Sequence, residues 1–195
     1  MGKAQNKPEK PVVHLEGRDE FRRWLADHFD DEVGIWLKLA KKSGQVPAPN
    51  YDEALEVALC FGWIDGQVRR FDEHVYLQSF TPRRKRSPWS KRNVGLASEL
   101  IESGRMEPRG FAEVERAKED GRWDRAYEGA AGYEPHPDFM AELRKNPVAL
   151  ENYEQLNSVG RYAIYFRIHD ARRADTRRKR IRKFVDLLAD GESPV

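Results

Sequence analysis

The stretch Asn50–Gly66, NYDEALEVALCFGWIDG, decides how the chain folds. Asn50 followed three residues later by Glu53 is a capping-box start, because each side chain can satisfy an N–H group left open at a helix N-terminus. An apolar helix follows over Tyr51–Phe61. Gly62 and Gly66 then bracket a sharp change of direction at Trp63-Ile64-Asp65, and beyond it Gln67–Phe71 and His74–Phe80 pair as a hairpin across Asp72-Glu73. A buried helix that runs straight into a hairpin belongs to a fold with helices on a small antiparallel sheet.

Working outward from there, Phe21, Trp24, Leu25, His28 and Phe29 recur at helical spacing and predict an amphipathic helix over Asp19–Phe29. Val33–Ala40 alternates as a strand, with Ile35, Leu37 and Leu39 on one face and Trp36 and Lys38 on the other. A loop over Lys42–Asn50 joins it to the central helix. Downstream, the basic loop Arg83–Arg86 leads into Ser87-Pro88, read as the cap and first turn of a helix that Gly104 stops, and another helix runs from Pro108 to near Gly121. GAAGYEPHP, residues 129–137, has the composition of a linker. Pro137, Asn146-Pro147 and Ser158 open three further helices, and Ala174–Ala189 forms the last, with Ile181, Phe184, Val185 and Leu188 on one side. The expected architecture is α+β: a flexible tail over 1–11, an α+β domain over 12–130, and a helical C-terminal module over 131–195 packed on it.

The 195 residues include five Trp, nine Phe and seven Tyr, enough for a sizeable core despite a charged fraction of 35%. No run approaches ~18 consecutive apolar residues, so no membrane-inserted helix is expected. The polar start of the chain shows no apolar signal region, and one cysteine cannot form an internal disulfide. A cytoplasmic location is the expectation. The net charge of +2 conceals two basic segments, +6 over Arg83–Arg92 and +8 over Arg161–Lys183, which leave −12 for the rest of the chain. Clustered charge is where an electrostatic partner is sought.

The residues that carry chemistry are few. Five scattered histidines and one cysteine lack any metal-ligand spacing, so no metal or cofactor is expected. No Gly-rich phosphate loop or nucleophile elbow is present. Cys60 ends an apolar helix, where a helix C-terminus raises rather than lowers a thiol pKa, so it reads as core. Asp65, an acid between two glycines, is either an Asx-turn residue or a functional acid. SFTPRRKRSPWSKRN, residues 79–93, joins arginine forks to Trp89 and to the neutral hydrogen-bonding groups of Ser87, Ser90 and Asn93. Such a mixture suits an anionic small molecule or a single nucleic-acid strand. It also suits a solvated loop whose Trp89 anchors the next helix. The segment His169–Lys183 reads as a polar helix surface, solvated or paired within the molecule.

Tyr51–Gly66 with its LCFGWIDG motif, Phe80–Asn93 (FTPRRKRSPWSKRN), the strand IWLKL at 35–39 and FRRWL at 21–25 resemble the YdeI/OmpD-associated, or bacteriocin-protection, family. ADTRRKRIRKFVDLLADG, residues 174–191, is similar to that family's C-terminal helical signature. The resemblance implies a bacterial protein connected with protection against bacteriocins or antimicrobial peptides, a distant YjbR/CyaY-like fold, and no assigned catalytic residue. The function expected first is a non-catalytic binding protein for an anionic small molecule or protein partner in stress tolerance. Its expected site is Trp63, Asp65, Arg83, Arg84, Trp89, Ser90 and Asn93, with Trp63 and Trp89 as walls and the arginines holding the anion. Two alternatives stand beside it: nucleic-acid binding through residues 83–92 and 161–183, and an enzyme using Asp65 with His74 or Cys60. The oligomeric state is left open.

Overall fold

The computed structural model describes residues 9–42 and 46–193. Most of the expected tail (1–8) and part of the loop after the first long strand (43–45) lie outside the described residues. Among those described are eight helices and a four-stranded mixed sheet, about 49% helix and 14% strand, an α+β protein. The order is β1 (Val12–Val13), α1 (Arg18–His28), β2 (Ile35–Ala40), α2 (Tyr51–Cys60), β3 (Trp63–Arg70), β4 (Val75–Pro82), α3 (Lys91–Glu102), α4 (Pro108–Glu119), α5 (Pro137–Leu143), α6 (Pro147–Gln155), α7 (Ser158–His169) and α8 (Ala174–Ala189). The chain divides into two compact units, Met1–Trp89 with Asn93–Ala126 and Ser90–Arg92 with Tyr127–Val195.

In the first unit the strands run β1-β2-β4-β3. β2, β4 and β3 are antiparallel, as the hairpin pattern requires, but β1 pairs parallel to β2, so the sheet is mixed rather than antiparallel throughout. Ile35, Leu37, Leu39 and Phe80 line one face and form the core with Phe21 and Leu25 of α1, Ala54, Leu55, Ala58 and Leu59 of α2, and Leu100 and Val114 from α3 and α4. α2 carries the expected capping box: Asn50 Oδ1 accepts from the Glu53 N–H (3.0 Å), and Glu53 Oε2 accepts from the Asn50 N–H (2.9 Å).

Two expectations are corrected. Trp63-Ile64-Asp65 is not a change of direction between two glycines but the first stretch of β3, with Trp63 opposite Pro82 and Asp65 opposite Phe80. Gly62 alone makes the turn, at φ +73°, a conformation that costs little only for glycine. Gly66 sits in the strand, at the bulge between Asp65 and Val68. The helix expected from Ser87-Pro88 begins instead at Lys91. The Ser87 hydroxyl accepts from the Arg84 N–H (3.0 Å), and the Ser87 N–H donates to the Arg84 carbonyl (2.9 Å), so these residues close a turn rather than open a helix.

The second unit is helical from Pro137 to Ala189, around Phe139, Leu143, Tyr153, Ile164, Ile168, Ile181, Phe184 and Leu188. Asn146 caps α6 by accepting from the Ala149 N–H (3.1 Å). Asn157, one residue before the expected Ser158, caps α7 through the Gly160 N–H (2.8 Å). Burial pushes the Tyr153 and Tyr162 hydroxyls up to about 12, with help from neighbouring tyrosines. The Tyr162 O–H donates to the Glu128 carbonyl, and the Tyr165 oxygen accepts from the Glu128 N–H, each at 3.0 Å.

Two glycines in the first unit give opposite expectations. A Cβ at Gly110 in α4 would lie 2.2 Å from the Cys60 carbonyl oxygen and 2.5 Å from Met106 Sδ, whereas one at Gly95 in α3 would meet nothing. Gly110→Ala should therefore lower unfolding stability by about 1–3 kcal/mol, and Gly95→Ala should raise it by up to ~1 kcal/mol. Urea denaturation of the two variants beside the parent checks both signs.

Candidate functional site

A concave site of the first unit lies between α1 and α4, and its geometry follows from how these helices bury their apolar sides. Phe21 and Leu25 turn into the core, which leaves Arg22, Ala26 and Phe29 on an adjoining face at i, i+4 and i+7, with Arg23 beside them. Phe61, at the end of α2, and Glu107, Pro108, Arg109 and Ala112, at the start of α4, complete a groove of about 680 Å³. That volume lies within the range typical of small-molecule sites, roughly 300–1,000 Å³.

The groove has an apolar floor and a charged rim. Phe29 is held from behind, because Trp63 Nε1–H donates to its carbonyl oxygen at 2.9 Å. The Arg22 guanidinium lies 5.6 Å from the Phe61 ring centroid and pairs with the Glu107 carboxylate. Arg109 pairs with Asp30 at 3.6 Å. Arg23 makes no hydrogen bond or ion pair among the described residues, so it is the uncompensated charge of the rim. α4 also begins here, with Pro108 at its first turn and no side-chain cap from Glu107, so the positive end of its dipole adds to the field.

Cys60 lies behind the groove, 2% exposed. Burial pushes its thiol above the ordinary cysteine range, outweighing the lowering by Arg22 and Arg105. A thiol held protonated at neutral pH is a poor nucleophile.

The residues expected from the sequence to form the site are distributed differently. Trp63 is fully buried, its ring edge-on to Trp24 at 6.0 Å, so it supports the groove floor rather than lining an opening. Asp65 accepts from the Tyr51 hydroxyl at 2.9 Å. The two motifs do meet along the backbone, since the Arg83 N–H donates to the Gly62 carbonyl at 2.9 Å. Arg83 and Trp89 are brought together, with the guanidinium 3.6 Å from the ring centroid, but both are buried (5% and 2% exposed). Arg83 Nη1 also donates to the Pro88 carbonyl at 3.2 Å, and Trp89 stands edge-on to Trp123 at 5.0 Å. This Trp89 anchors core rather than walling a pocket. Arg84 is exposed in the turn closed by Ser87, Ser90 bridges to Tyr127, and Asn93 is buried in the first turn of α3. His74 stands in the hairpin turn, at the opposite end of β3 from Asp65. In the second basic segment Arg178 and Arg180 form ion pairs, with Asp175 and Asp170, while Arg172, Arg173, Lys179, Arg182 and Lys183 are exposed.

The groove residues were visible in the sequence only as FRRWL, an apolar helix with two arginines beside its stripe. Ala26 and Phe29 extend those arginines into a second face, and that was the available signal. Glu107, Pro108 and Arg109 join it through tertiary contacts alone.

Two expectations follow. In the native protein, Cys60 should react with a thiol reagent such as DTNB only slowly through and above pH 8.5, and fully once denatured; absorbance at 412 nm reads both. Trp63→Phe, which removes the N–H that fixes Phe29, should lower stability by about 1–2 kcal/mol in urea denaturation.

Comparison with known families places these features. Residues 13–113 match the family described as Domain of unknown function (DUF8412). Residues 133–191 match the family described as Bacteriocin-protection, YdeI or OmpD-Associated. Searches of curated proteins and of solved structures give no significant match. LCFGWIDG, FTPRRKRSPWSKRN and all the groove residues fall in the first match, and the signature at 174–191 falls in the second. The chain thus belongs to the DUF8412 family through residues 13–113 and carries the bacteriocin-protection, YdeI or OmpD-associated sequence at 133–191.

Proposed function

We propose that this chain, a bacteriocin-protection-type protein at the family level, is a non-catalytic cytoplasmic binding protein for a small anionic amphiphile. The ligand class is a carboxylate or sulfonate on an apolar body, held in the groove between α1 and α4. One observation carries the reading: the unpaired Arg23 stands on the rim of a floor made by Phe29, Phe61, Ala26 and Ala112. An apolar body covers the floor and releases water, while the anion takes the guanidinium fork and the field of the α4 N-terminus. A cationic rim repels a cationic peptide, so protection would operate through an anionic ligand rather than by capturing such a peptide in this groove.

Binding is favoured over catalysis by the surroundings of the two candidate reactive groups. Asp65 is engaged by the Tyr51 hydroxyl, and the Cys60 thiol is buried and kept protonated. A lone free thiol also suits a reducing cytoplasm. A second reading, nucleic-acid binding, is favoured at α8 by the exposed cations Lys179, Arg182 and Lys183.

The probe that tests the groove is 1-anilinonaphthalene-8-sulfonate, an anion on an aromatic body, whose emission rises on binding. Decanoate should displace it and decanol should do so far less well. Ala112→Trp, an exposed helix position that faces the groove, should weaken binding at least tenfold. Arg23→Gln should weaken it about three- to tenfold. Equal competition by decanol, or unchanged binding by Ala112→Trp, would overturn the reading.

A further inference from the structure

The sheet has a second face, opposite the one that packs on α1 and α2. Its buried apolar residues, Trp36, Val75 and Leu77, stand apart from the main core. Across the register, Trp36 neighbours Ser79, and Lys38 and Arg69 flank Leu77 from either side. The Arg69 guanidinium lies 4.2 Å from the Trp36 ring centroid, and Lys38 Nζ lies 4.5 Å from that of Phe71. Lys10 Nζ reaches the Ser79 hydroxyl (2.5 Å) and lies 5.6 Å from the Trp36 ring.

In a chain with 33 acidic residues, none of the strand positions on this face is acidic. Asp65, the one acid within β2, β3 and β4, pairs opposite Phe80 on the core face. Arg69 and Lys38 form no ion pair among the described residues; they rest on aromatic rings instead. Of the two acids at the hairpin turn, Asp72 and Glu73, Asp72 accepts from the N–H groups of Val75 and His74, each at 2.8 Å, which hold it below the usual carboxylate range with a smaller contribution from the charge of Lys38.

We propose that this face binds single-stranded nucleic acid. Lys38 on the exposed ring of Phe71 gains little there, so a phosphate can draw it away and leave that ring for a base, while Trp36 is covered by Arg69 and Lys10. Phe71, 47% exposed at the edge of the face, is an immediate stacking platform. The combination of cations that track phosphates with rings that stack bases is what single strands require. An acidic peptide would use the cations and leave the rings idle, and a duplex keeps its bases stacked on one another. This inference concerns a different face from the groove and stands independently of the ligand proposed there.

The test is fluorescence anisotropy of a fluorescein-labelled oligo-dT 12-mer with the full chain, from 50 mM salt upward. Binding should weaken linearly in log–log form with salt. Arg69→Gln should weaken it and reduce the slope by about 0.7, one phosphate contact on a single strand. Phe71→Ala should weaken it about tenfold with the slope unchanged, and Phe71→Trp should restore it. The proposal is overturned if the parent chain fails to bind at 50 mM salt, if a duplex of the same length binds more tightly, or if both Phe71 variants bind like the parent. It is likewise overturned if Arg182→Gln with Lys183→Gln abolishes binding that the sheet variants leave intact, which would assign the site to α8. Competition by poly-glutamate that matches oligo-dT in its sensitivity to Phe71→Ala would reassign the face to an acidic protein partner.

Discussion

The end of α2 is buried, and a buried helix end must find partners for its last carbonyl groups. That requirement organises the first unit. The Leu59 carbonyl accepts from the Gly62 N–H (3.1 Å), the Cys60 carbonyl from the Glu107 N–H (3.1 Å), and the Gly62 carbonyl from the Arg83 N–H (2.9 Å). Three separate parts of the chain are thereby tied to one helix terminus: the start of β3, the N-terminus of α4 and the residue that follows β4. The approach is close enough that α4 presents a bare glycine, Gly110, to the Cys60 carbonyl. Because α4 is anchored there, Glu107, Pro108 and Arg109 are delivered to the rim of the groove, and Phe61 is left on its floor.

Charge in this molecule is divided by the kind of partner each cation finds. Arg122, 4% exposed, donates to Asp120 and to the Ser87 carbonyl, and Arg83 lies over the Trp89 ring inside the core. Both belong to structure. Arg22 and Arg109 are paired at the groove while Arg23 is not, which turns a half-neutralised rim into one with a directional preference for an anion. On the opposite side of the sheet, Lys38 and Arg69 rest on rings and form no ion pair among the described residues. Ring contacts of this kind are weaker than a buried ion pair and easier for a phosphate to replace. The +6 segment at Arg83–Arg92, conspicuous in the sequence, is thus partly consumed within the fold, whereas FRRWL, which hardly shows in the charge totals, supplies the arginine of the groove rim that forms no ion pair among the described residues.

Much of the fold was legible because it rests on local rules. The capping box at Asn50 and Glu53, the apolar stripe of α1, the alternation of β2 and the prolines that open α4, α5 and α6 each depend on residues within one or two turns of each other. The misreadings were also local in origin. Two glycines four residues apart suggested a double turn at Trp63–Asp65, but only Gly62 takes the positive φ; the other is absorbed by a bulge whose partner, β4, lies more than ten residues away. Ser87-Pro88 has the form of a helix start, yet the Ser87 hydroxyl is used by the preceding turn.

What the sequence determined by itself was the inventory: an α+β chain, helices after residue 137, a cysteine better suited to core than to catalysis, and charge gathered in segments. Those properties follow from composition and from spacing along the chain. Which of the aromatic and cationic residues face solvent, which pair with one another and which share a groove was decided only by tertiary structure. Trp63, Trp89 and Arg83 have the chemistry of a binding site, and the same chemistry makes them good at filling and tying a core. The choice between those uses is set by which side of β3 and β4 faces α1 and α2, and by where the carbonyls at the end of α2 find their donors.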